Sequence, residues 1–333
     1  MQYVPVVSSS GKPLMPCHPA RARELIRKGR AVRRFNKGLF YIQLVGRVDG
    51  ETQEIAVGID PGSKKEAFTV KSKAHTYLNI QVDAVTWVSK HVEQRRNMRR
   101  LRRYRKTPYR SPRKNRKRGG MPPSTKARWQ WKLRIANWLC QLFPITVFVV
   151  EDVAARTIKG SRKWNASFSP LQVGKKWFYE KLGQLAIVVT KQGYETKSLR
   201  DQLGLKKSKA KLSNKFSAHC VDSWVLANSA VGGHLIPDNR TILFISPLRL
   251  HRRQLYKLKT LKGGMRRLYG GTRSLGFKRG SLVKHSKWGV CYVGGTSKER
   301  ISLHQLATGK RLTQHAKPKD CQFLTYCSWR FSH

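Results

Sequence analysis

The stretch "AVGIDPGSKKEAFTV" (Ala56–Val70) decides the fold and raises the first question about function. An apolar run ends at Asp60, a Pro-Gly turn follows, and a second apolar run begins at Ala67. The chain holds only 17 Asp plus Glu against 69 Lys plus Arg, so a carboxylate at the end of a buried strand is unusual here. The spacing alone explains Asp60 equally well as a turn residue and as a ligand.

The residues around this turn predict a sheet. "EIAVGID", "AFTVKS" and "YLNIQV" have the apolar character of three consecutive strands in a meander. A helix is expected from Ser124 or Thr125 to Pro144, and "ITVFVVED" (Ile145–Asp152) then predicts a second buried strand. The apolar residues of that helix fall at core-packing spacing: Trp131, Ile135, Trp138 and Leu142.

Three further elements are expected before residue 232. Phe178, Leu182, Leu185 and Val189 predict one face of an amphipathic helix that ends at Gly193. A short strand is expected at Tyr194–Leu199, and a last helix at Phe216–Ala230. The order of elements is that of a mixed α/β sheet with helices packed on it.

Three scarce acids have similar apolar surroundings. Asp60 and Glu151 each end an apolar strand, and Asp222 lies in an apolar helix three residues after His219. If the two strands are adjacent and parallel, Asp60 and Glu151 share one edge of the sheet, and carboxylates there suit Mg²⁺. His219 would face the same way as Asp222 and could position or deprotonate a water molecule. Taken singly, Glu151 is also explained as a solvated strand end, and His219 as a core histidine.

The formal charge of +52 predicts a polyanionic partner. Lys and Arg side chains in this excess repel one another unless phosphates neutralise them, so nucleic acid is the expected partner. A membrane partner is not expected, because the longest apolar runs, such as "ITVFVV", are only as long as strands. No secretory signal is visible, which predicts a cytoplasmic protein.

The segment "EQRRNMRRLRRYRKTPYRSPRKNRKR" (Glu93–Arg118) contains 14 basic residues in 26. Its arginines point in every direction around a helix, so a solvated helix or a disordered arm is one interpretation. Met98, Leu101 and Tyr104 interrupt the basic residues and favour a helix between nucleic-acid backbones. The candidate nucleic-acid-binding residues are Arg95, Arg96, Arg99, Arg100, Arg102, Arg103 and Arg105.

The two ends of the chain differ in character from the middle. Residues 1 to about 53 predict a small module with a basic helix within His18–Val32 and a strand at Leu39–Val45. From about Asp238 the sequence becomes basic and rich in glycine, and its alternating runs predict the strands of a small barrel.

Four motifs together carry a family resemblance. "IAVGIDPGSKK", "VFVVED" and "SAHCVDSWVLA" resemble, in this order, the three split motifs of a RuvC-like nuclease domain with an RNase H-type fold. The arginine-rich run is similar to the bridge helix of transposon-encoded RNA-guided nucleases, and "KPLMP" (Lys12–Pro16) resembles the PLMP module of the IscB and IsrB families.

The two families differ by an HNH nuclease domain inserted before the last RuvC motif. Fewer than 70 residues separate Glu151 from His219, and none of them is histidine or cysteine. An HNH centre needs histidine, so the chain resembles the IsrB family, which lacks that domain.

The resemblance implies an RNase H-like (RuvC) mixed sheet with flanking helices, a small N-terminal module and a basic, β-rich C-terminal domain. The implied division is a PLMP module at 1–53, RuvC part I at 54–92, a bridge helix at 93–120, RuvC part II at 121–200, RuvC part III at 201–235 and a domain at 236–333 that interacts with a target-adjacent motif.

The implied activity is that of an omega-RNA-guided DNA nickase. Its single RuvC centre would hydrolyse a phosphodiester of the displaced non-target strand by a two-metal mechanism. The resemblance assigns two Mg²⁺ ions, for which Mn²⁺ substitutes, to Asp60, Glu151 and Asp222, and makes His219 the fourth catalytic residue. The implied partners are a guide-bearing omega RNA and a double-stranded DNA target with a short adjacent motif. The protein would be a monomer in a ribonucleoprotein, in a prokaryotic cytoplasm with activity at the nucleoid.

Three other interpretations are weaker. A TnpB-like RNA-guided nuclease normally carries a zinc-binding insert with paired C-x-x-C motifs, which this sequence lacks. A DNA junction resolvase shares the RuvC fold but needs neither an arginine-rich bridge nor this excess of positive charge. A non-catalytic RNA- or DNA-binding transposon accessory protein would not require all four candidate catalytic residues.

Overall fold

The computed structural model describes residues 3–104, 121–153, 169–248, 256–258, 266–268, 273–297 and 299–332. They form two compact units. The first unit comprises Met1–Tyr3, Gly11–Pro16 and Asp49–Ile242, and the second comprises Val4–Ser10, Cys17–Val48 and Leu243–His333. The division of the chain at 53, 92, 120, 200 and 235 stays a prediction.

The regular elements are numbered in chain order. The strands are β1 (Val4–Val7), β2 (Pro13–Cys17), β3 (Ala31–Asn36), β4 (Leu39–Leu44), β5 (Ile55–Asp60), β6 (Lys65–Ser72), β7 (Thr76–Asp83), β8 (Val147–Asp152), β9 (Ile187–Gln192), β10 (Ile242–Pro247), β11 (Tyr256–Leu258), β12 (Arg266–Leu268), β13 (Arg273–Ser274), β14 (Phe277–Lys278), β15 (Ser281–His285), β16 (Gly289–Ser297), β17 (Arg300–Gln305), β18 (Arg311–Ala316), β19 (Cys321–Tyr326) and β20 (Trp329–Ser332). The α-helices are α1 (Pro19–Arg27), α2 (Trp87–Tyr104), α3 (Pro123–Cys140), α4 (Pro170–Gly183), α5 (Gly193–Gln202) and α6 (Cys220–Val231).

A mixed sheet forms the centre of the first unit. Its strands lie in the order β7-β6-β5-β8-β9. The pairs β5/β6 and β6/β7 are antiparallel, whereas β5/β8 and β8/β9 are parallel. Numbered by their order in the chain, these strands run 3-2-1-4-5 with the second strand reversed, which is the arrangement of an RNase H-like fold. The predicted α/β class and the three-stranded meander are therefore confirmed.

Helix α6 lies directly against β5 because Gly58 has no side chain. A Cβ atom at this position would lie 1.8 Å from the backbone oxygen of Ser223, so any larger residue would push the helix off the strand. The hydroxyl of Ser223 also lies 2.8 Å from the Thr69 hydroxyl on β6, and Trp224 donates its indole N–H to Thr76 Oγ1 at 2.9 Å. These contacts hold the beginning of α6 beside the end of β5.

Helix α3 packs through the predicted apolar face. Its residues Trp131, Ile135 and Trp138 are buried, as is Leu142 just beyond its end, which confirms the predicted core positions. The ring of Trp129 lies 5.1 Å from that of Phe178 on α4. One polar contact lies within this packing: Lys132 Nζ on α3 is 2.7 Å from Glu66 Oε1 on β6, and these side chains are 4% and 0% exposed.

The sequence prediction was wrong for the segment from residue 184 to residue 199. The amphipathic helix ends at Gly183, and Val189 lies on β9 instead. Four consecutive β-branched residues, 187–190, favour a strand there over another helical turn.

The predicted strand at Tyr194–Leu199 is instead the first part of α5. The Gln192 backbone N–H donates to Glu195 Oε2 at 2.6 Å, which is half of a capping box that starts a helix. This local hydrogen bond outweighs the β-forming residues of the segment.

The arginine-rich segment contributes to α2, which begins at Trp87 rather than at residue 93. Arg95, Arg96, Arg99 and Arg100 are exposed on this helix, as are Met98, Leu101 and Tyr104. Arg102 and Arg103 belong to the helix, and Arg105 lies outside the described residues. None of the helices within the described ranges is long and apolar enough to cross a membrane.

The second unit is rich in strands. Strand β4 pairs with β1 in parallel and with β3 antiparallel. A five-stranded antiparallel sheet has the order β18-β17-β16-β15-β19, and β10 pairs with β20. The core of this sheet includes Val283, Cys291, Val293, Ile301, Leu303, Ala316 and Cys321. The predicted β-rich character of the C-terminal region is therefore confirmed.

Candidate metal centre

Three carboxylates from three different elements meet at one end of the central sheet. Asp60 is the last residue of β5, Glu151 lies near the end of β8, and Asp222 is in the first turn of α6. One oxygen of each lies within 4.8 Å of an oxygen of the other two. The parallel register, in which Ile59 lies opposite Val150, sets the first two acids side by side. The expected neighbouring positions of Asp60 and Glu151 are therefore observed.

His219 immediately precedes α6 and contacts this cluster. Its Nδ1 lies 3.0 Å from Asp60 Oδ2, and its Nε2 lies 2.8 Å from the backbone oxygen of Lys211. Because both ring nitrogens face oxygen acceptors, the hydrogen bond to Asp60, together with that to Lys211, raises the pKa of His219 against the effect of burial. The imidazolium form fits this arrangement, and Asp60 orients its ring.

The acids repel one another in this partly buried place. Burial, together with the charges of Asp60 and Asp222, raises the pKa of Glu151 to about 7. A carboxyl group that is held near its protonated form by like charges is one that a bound cation would stabilise as the anion.

Two basic side chains bind both oxygens of Asp222. Arg200 Nη1 on α5 donates to Asp222 Oδ1 at 2.6 Å, and Lys207 Nζ donates to Asp222 Oδ2. Burial opposes the charge on Lys207, but Asp60, Asp222 and Glu151 outweigh it and raise the pKa of the Lys207 ammonium. The positive charges of these two side chains thus offset part of the negative charge of the acidic cluster.

The acid next to Glu151 has a different role. Asp152 accepts hydrogen bonds from Tyr179 Oη at 2.8 Å and from Gln192 Nε2 at 3.0 Å, and it pairs with Lys175 Nζ at 2.6 Å. These partners lower the pKa of the Asp152 carboxyl although burial raises it. Asp152 therefore links β8 to α4 and the end of β9.

Gly193, the first residue of α5, leaves room for the Glu151 carboxylate. A Cβ atom at this position would lie 3.0 Å from Glu151 Oε1, closer than ordinary contact. The sequence analysis took Gly193 as the end of the preceding amphipathic helix and therefore missed that role.

Gly193→Ala is expected to displace the Glu151 carboxylate and to weaken Mn²⁺ binding by about tenfold, the usual cost of disturbing the support of a ligand. Isothermal titration calorimetry on the full-length protein measures this affinity. Gly183→Ala is the matched control, since a Cβ atom at residue 183 has no atom within 4 Å. Equal Mn²⁺ affinities for the two variants would contradict the assigned role of Gly193.

The donor set fits hard divalent cations. Carboxylate oxygens are the ligands that such ions prefer, and three acids on rigid elements leave positions for water or phosphate oxygens. Asp60, Glu151 and Asp222 are the residues that could hold the ions. The cluster is thus compatible with divalent-metal binding.

The structure brings together four of the residues predicted from the sequence: Asp60, Glu151, His219 and Asp222. Sequence reasoning missed Arg200 and Lys207, which contact Asp222, and Gly58 and Gly193, which make space around the acids. A glycine inside an apolar strand indicates close backbone approach, so Gly58 carried a usable signal.

The chain is similar to one protein family and, weakly, to a solved structure. Residues 4–163, just under half of the chain, match the RRXRR protein family. A solved structure titled "T. thermophilus RuvC in complex with Holliday junction substrate" has 13% sequence identity and a TM-score of 0.29, and the match covers 54% of this chain and 98% of that chain. No curated protein matches the sequence.

The RNase H-like order of the sheet and the cluster of three acids at its edge are features of a metal-dependent nuclease.

Proposed function

We propose that the protein is an RNA-guided DNA nickase of the IsrB type. Its single nuclease centre hydrolyses a phosphodiester of the displaced non-target strand. The observation that carries this proposal is the convergence of Asp60, Glu151 and Asp222 within 4.8 Å of one another. The RRXRR match over residues 4–163 supports an IscB-like chain, and the lack of histidine between Glu151 and His219 favours the form without an HNH domain.

In the proposed reaction, Asp60, Glu151 and Asp222 would hold two Mg²⁺ ions, with Mn²⁺ as a substitute. Bound there, the ions would supply the Lewis acidity that activates a water molecule and stabilises the leaving 3′ oxygen. His219 holds the Asp60 carboxylate through its Nδ1 contact, and it would reach the attacking water through Nε2 only after that nitrogen leaves the Lys211 carbonyl. The buried positions of Asp60 and Asp222 keep their carboxylates fixed before the DNA strand arrives.

The proposed partners are a guide-bearing omega RNA and a double-stranded DNA target with a short adjacent motif. The net charge of +52 and the exposed arginines of α2 support phosphate binding along the RNA or the heteroduplex. A second basic surface contacts the acidic cluster: the lysine-rich segment, residues 203–215, contains five lysines and contacts His219 and Asp222. It is a candidate surface for the strand that is cut. We assign motif recognition to residues 236–333.

For the test, the protein is assembled with the RNA that is transcribed beside its coding sequence. This RNA carries a guide that matches a target in a supercoiled plasmid. A randomised sequence flanks the target, so that no adjacent motif has to be assumed. With Mg²⁺, the expected product is open-circular plasmid that is nicked in the non-target strand. Asp60→Ala is expected to abolish nicking while RNA binding persists.

Other products would decide against this proposal. Linear plasmid would show that both strands are cut and would favour a TnpB-like nuclease. RNA and DNA binding without any cleavage by the wild-type protein would favour a non-catalytic transposon accessory protein.

A further inference from the structure

The ammonium group of Lys207 occupies a ligand position of the proposed metal centre. It donates to Asp222 Oδ2, and Asp222 is one of the three clustered acids. The Asp222 side chain is 2% exposed, so few directions of approach to its oxygens are open. A divalent ion that bound through Oδ2 would meet the Lys207 ammonium at the same atom.

The two basic partners of Asp222 are held differently. Arg200 lies on α5, its side chain is 12% exposed, and its planar guanidinium donates to the other oxygen, Oδ1. Lys207 lies in the lysine-rich segment, outside helices and strands, and its side chain is 31% exposed. A lysine ammonium is a compact charge on a flexible stem, so it can leave without a movement of the sheet or of α5.

The lysine-rich segment is anchored on the C-terminal side of this contact. The Ser208 backbone N–H donates to the Ser217 oxygen at 2.8 Å, and the Lys211 oxygen lies 2.8 Å from His219 Nε2. Gln81 on β7 donates to the Ser213 oxygen at 3.2 Å. The backbone that carries Lys207 therefore stays beside the acids whether or not its ammonium contacts Asp222.

We propose that Lys207 is an exchangeable internal cation, which binds Asp222 Oδ2 until a divalent ion displaces it and thereby sets the metal affinity of the centre. This inference rests on the metal centre of the proposed function. Arg200 keeps Asp222 oriented through Oδ1 during the exchange. The positive charge that Lys207 supplies keeps the crowded acids together when no metal is bound, at the cost of weaker metal binding.

The test compares Lys207→Met with Lys206→Met in the full-length protein. Both variants lose one lysine from the same segment, and Lys206 is exposed. Mn²⁺ affinity is measured by calorimetry, and free Mn²⁺ is counted by electron paramagnetic resonance. Lys207→Met is expected to bind Mn²⁺ about tenfold more tightly than the wild type, because one adjacent charge shifts a carboxylate equilibrium by about this factor. The Mn²⁺ affinity of Lys206→Met is expected to stay within about twofold of the wild type.

A second measurement separates competition from a general change in stability. With EDTA, Lys207→Met is expected to melt at a lower temperature than the wild type, because the acids lose an internal cation. Mn²⁺ is expected to raise the melting temperature of Lys207→Met by more than it raises that of the wild type. Lys207→Gln serves as a smaller substitution if the methionine variant does not fold.

Two results would overturn the inference in different ways. If the wild type binds Mn²⁺ and Lys207→Met binds it no more tightly than Lys206→Met does, Lys207 does not compete with metal, and the nuclease centre stands without it. If neither the wild type nor the variants bind Mn²⁺, the metal centre itself fails, and the role of Lys207 fails with it.

Discussion

Replacing Glu151 with glutamine is expected to lower the rate of guided DNA cleavage by about three orders of magnitude, since metal binding supplies several kcal/mol of transition-state stabilisation. Glutamine keeps the size of the side chain but removes the charge that a divalent ion requires. Glu151 is the right acid for this test, because it is crowded by Asp60 and Asp222 rather than held in an ion pair of its own. Single-turnover cleavage of a labelled plasmid measures the rate.

The matched control is Asp152→Asn. This acid is the next residue on the same strand, yet its hydrogen bonds go to Tyr179 and Gln192, outside the cluster. Its loss is expected to lower the melting temperature but to leave the cleavage rate within about threefold at a temperature where the variant is folded. Equal loss of cleavage in both variants would contradict the distinction between a ligand acid and a structural acid.

Glu66→Ala is expected to cost about 3–5 kcal/mol in free energy of unfolding, because it leaves the Lys132 ammonium buried without its carboxylate partner. Both side chains are almost completely buried, and their atoms are 2.7 Å apart. Burial raises the pKa of Glu66, while Lys132 lowers it, so the pair depends on close contact to remain charged. Urea denaturation followed by tryptophan fluorescence measures the change, since Trp129 lies beside Lys132.

The control for this pair is the double variant Glu66→Met with Lys132→Met. Removing both charges at once leaves no unpaired ion, so most of the lost stability is expected to return. A second control is Lys12→Ala at the exposed pair with Asp49, where the expected cost is below about 1 kcal/mol. If Glu66→Ala were as stable as the double variant, the pair would not contribute as described.

The sequence predicted which acids cluster and at which edge of the sheet, because each of these acids is marked by the apolar residues around it. Apolar strands that end in Asp60 and Glu151 need only be parallel neighbours to bring the two acids together, and the structure has this pairing. His219 and Asp222 lie within one turn of the chain, so either residue predicts the position of the other.

Other parts of the site depend on tertiary contacts that no short pattern shows. The helix at Gly193–Gln202 has strand-like residues at its start, and it forms because Glu195 caps it and Gly193 fits beside Glu151. Arg200 reaches Asp222 only as a consequence of that helix. Lys207 is one of five lysines in its segment, and sequence alone does not distinguish it from its exposed neighbours.

The most direct test of the metal centre is anomalous diffraction at the manganese edge from crystals of the wild-type protein grown with Mn²⁺. We expect anomalous peaks about 2 Å from carboxylate oxygens of Asp60, Glu151 and Asp222, the distance of direct coordination. Anomalous density elsewhere in the molecule, with none among these three acids in protein that binds its guide RNA and cuts DNA, would contradict it.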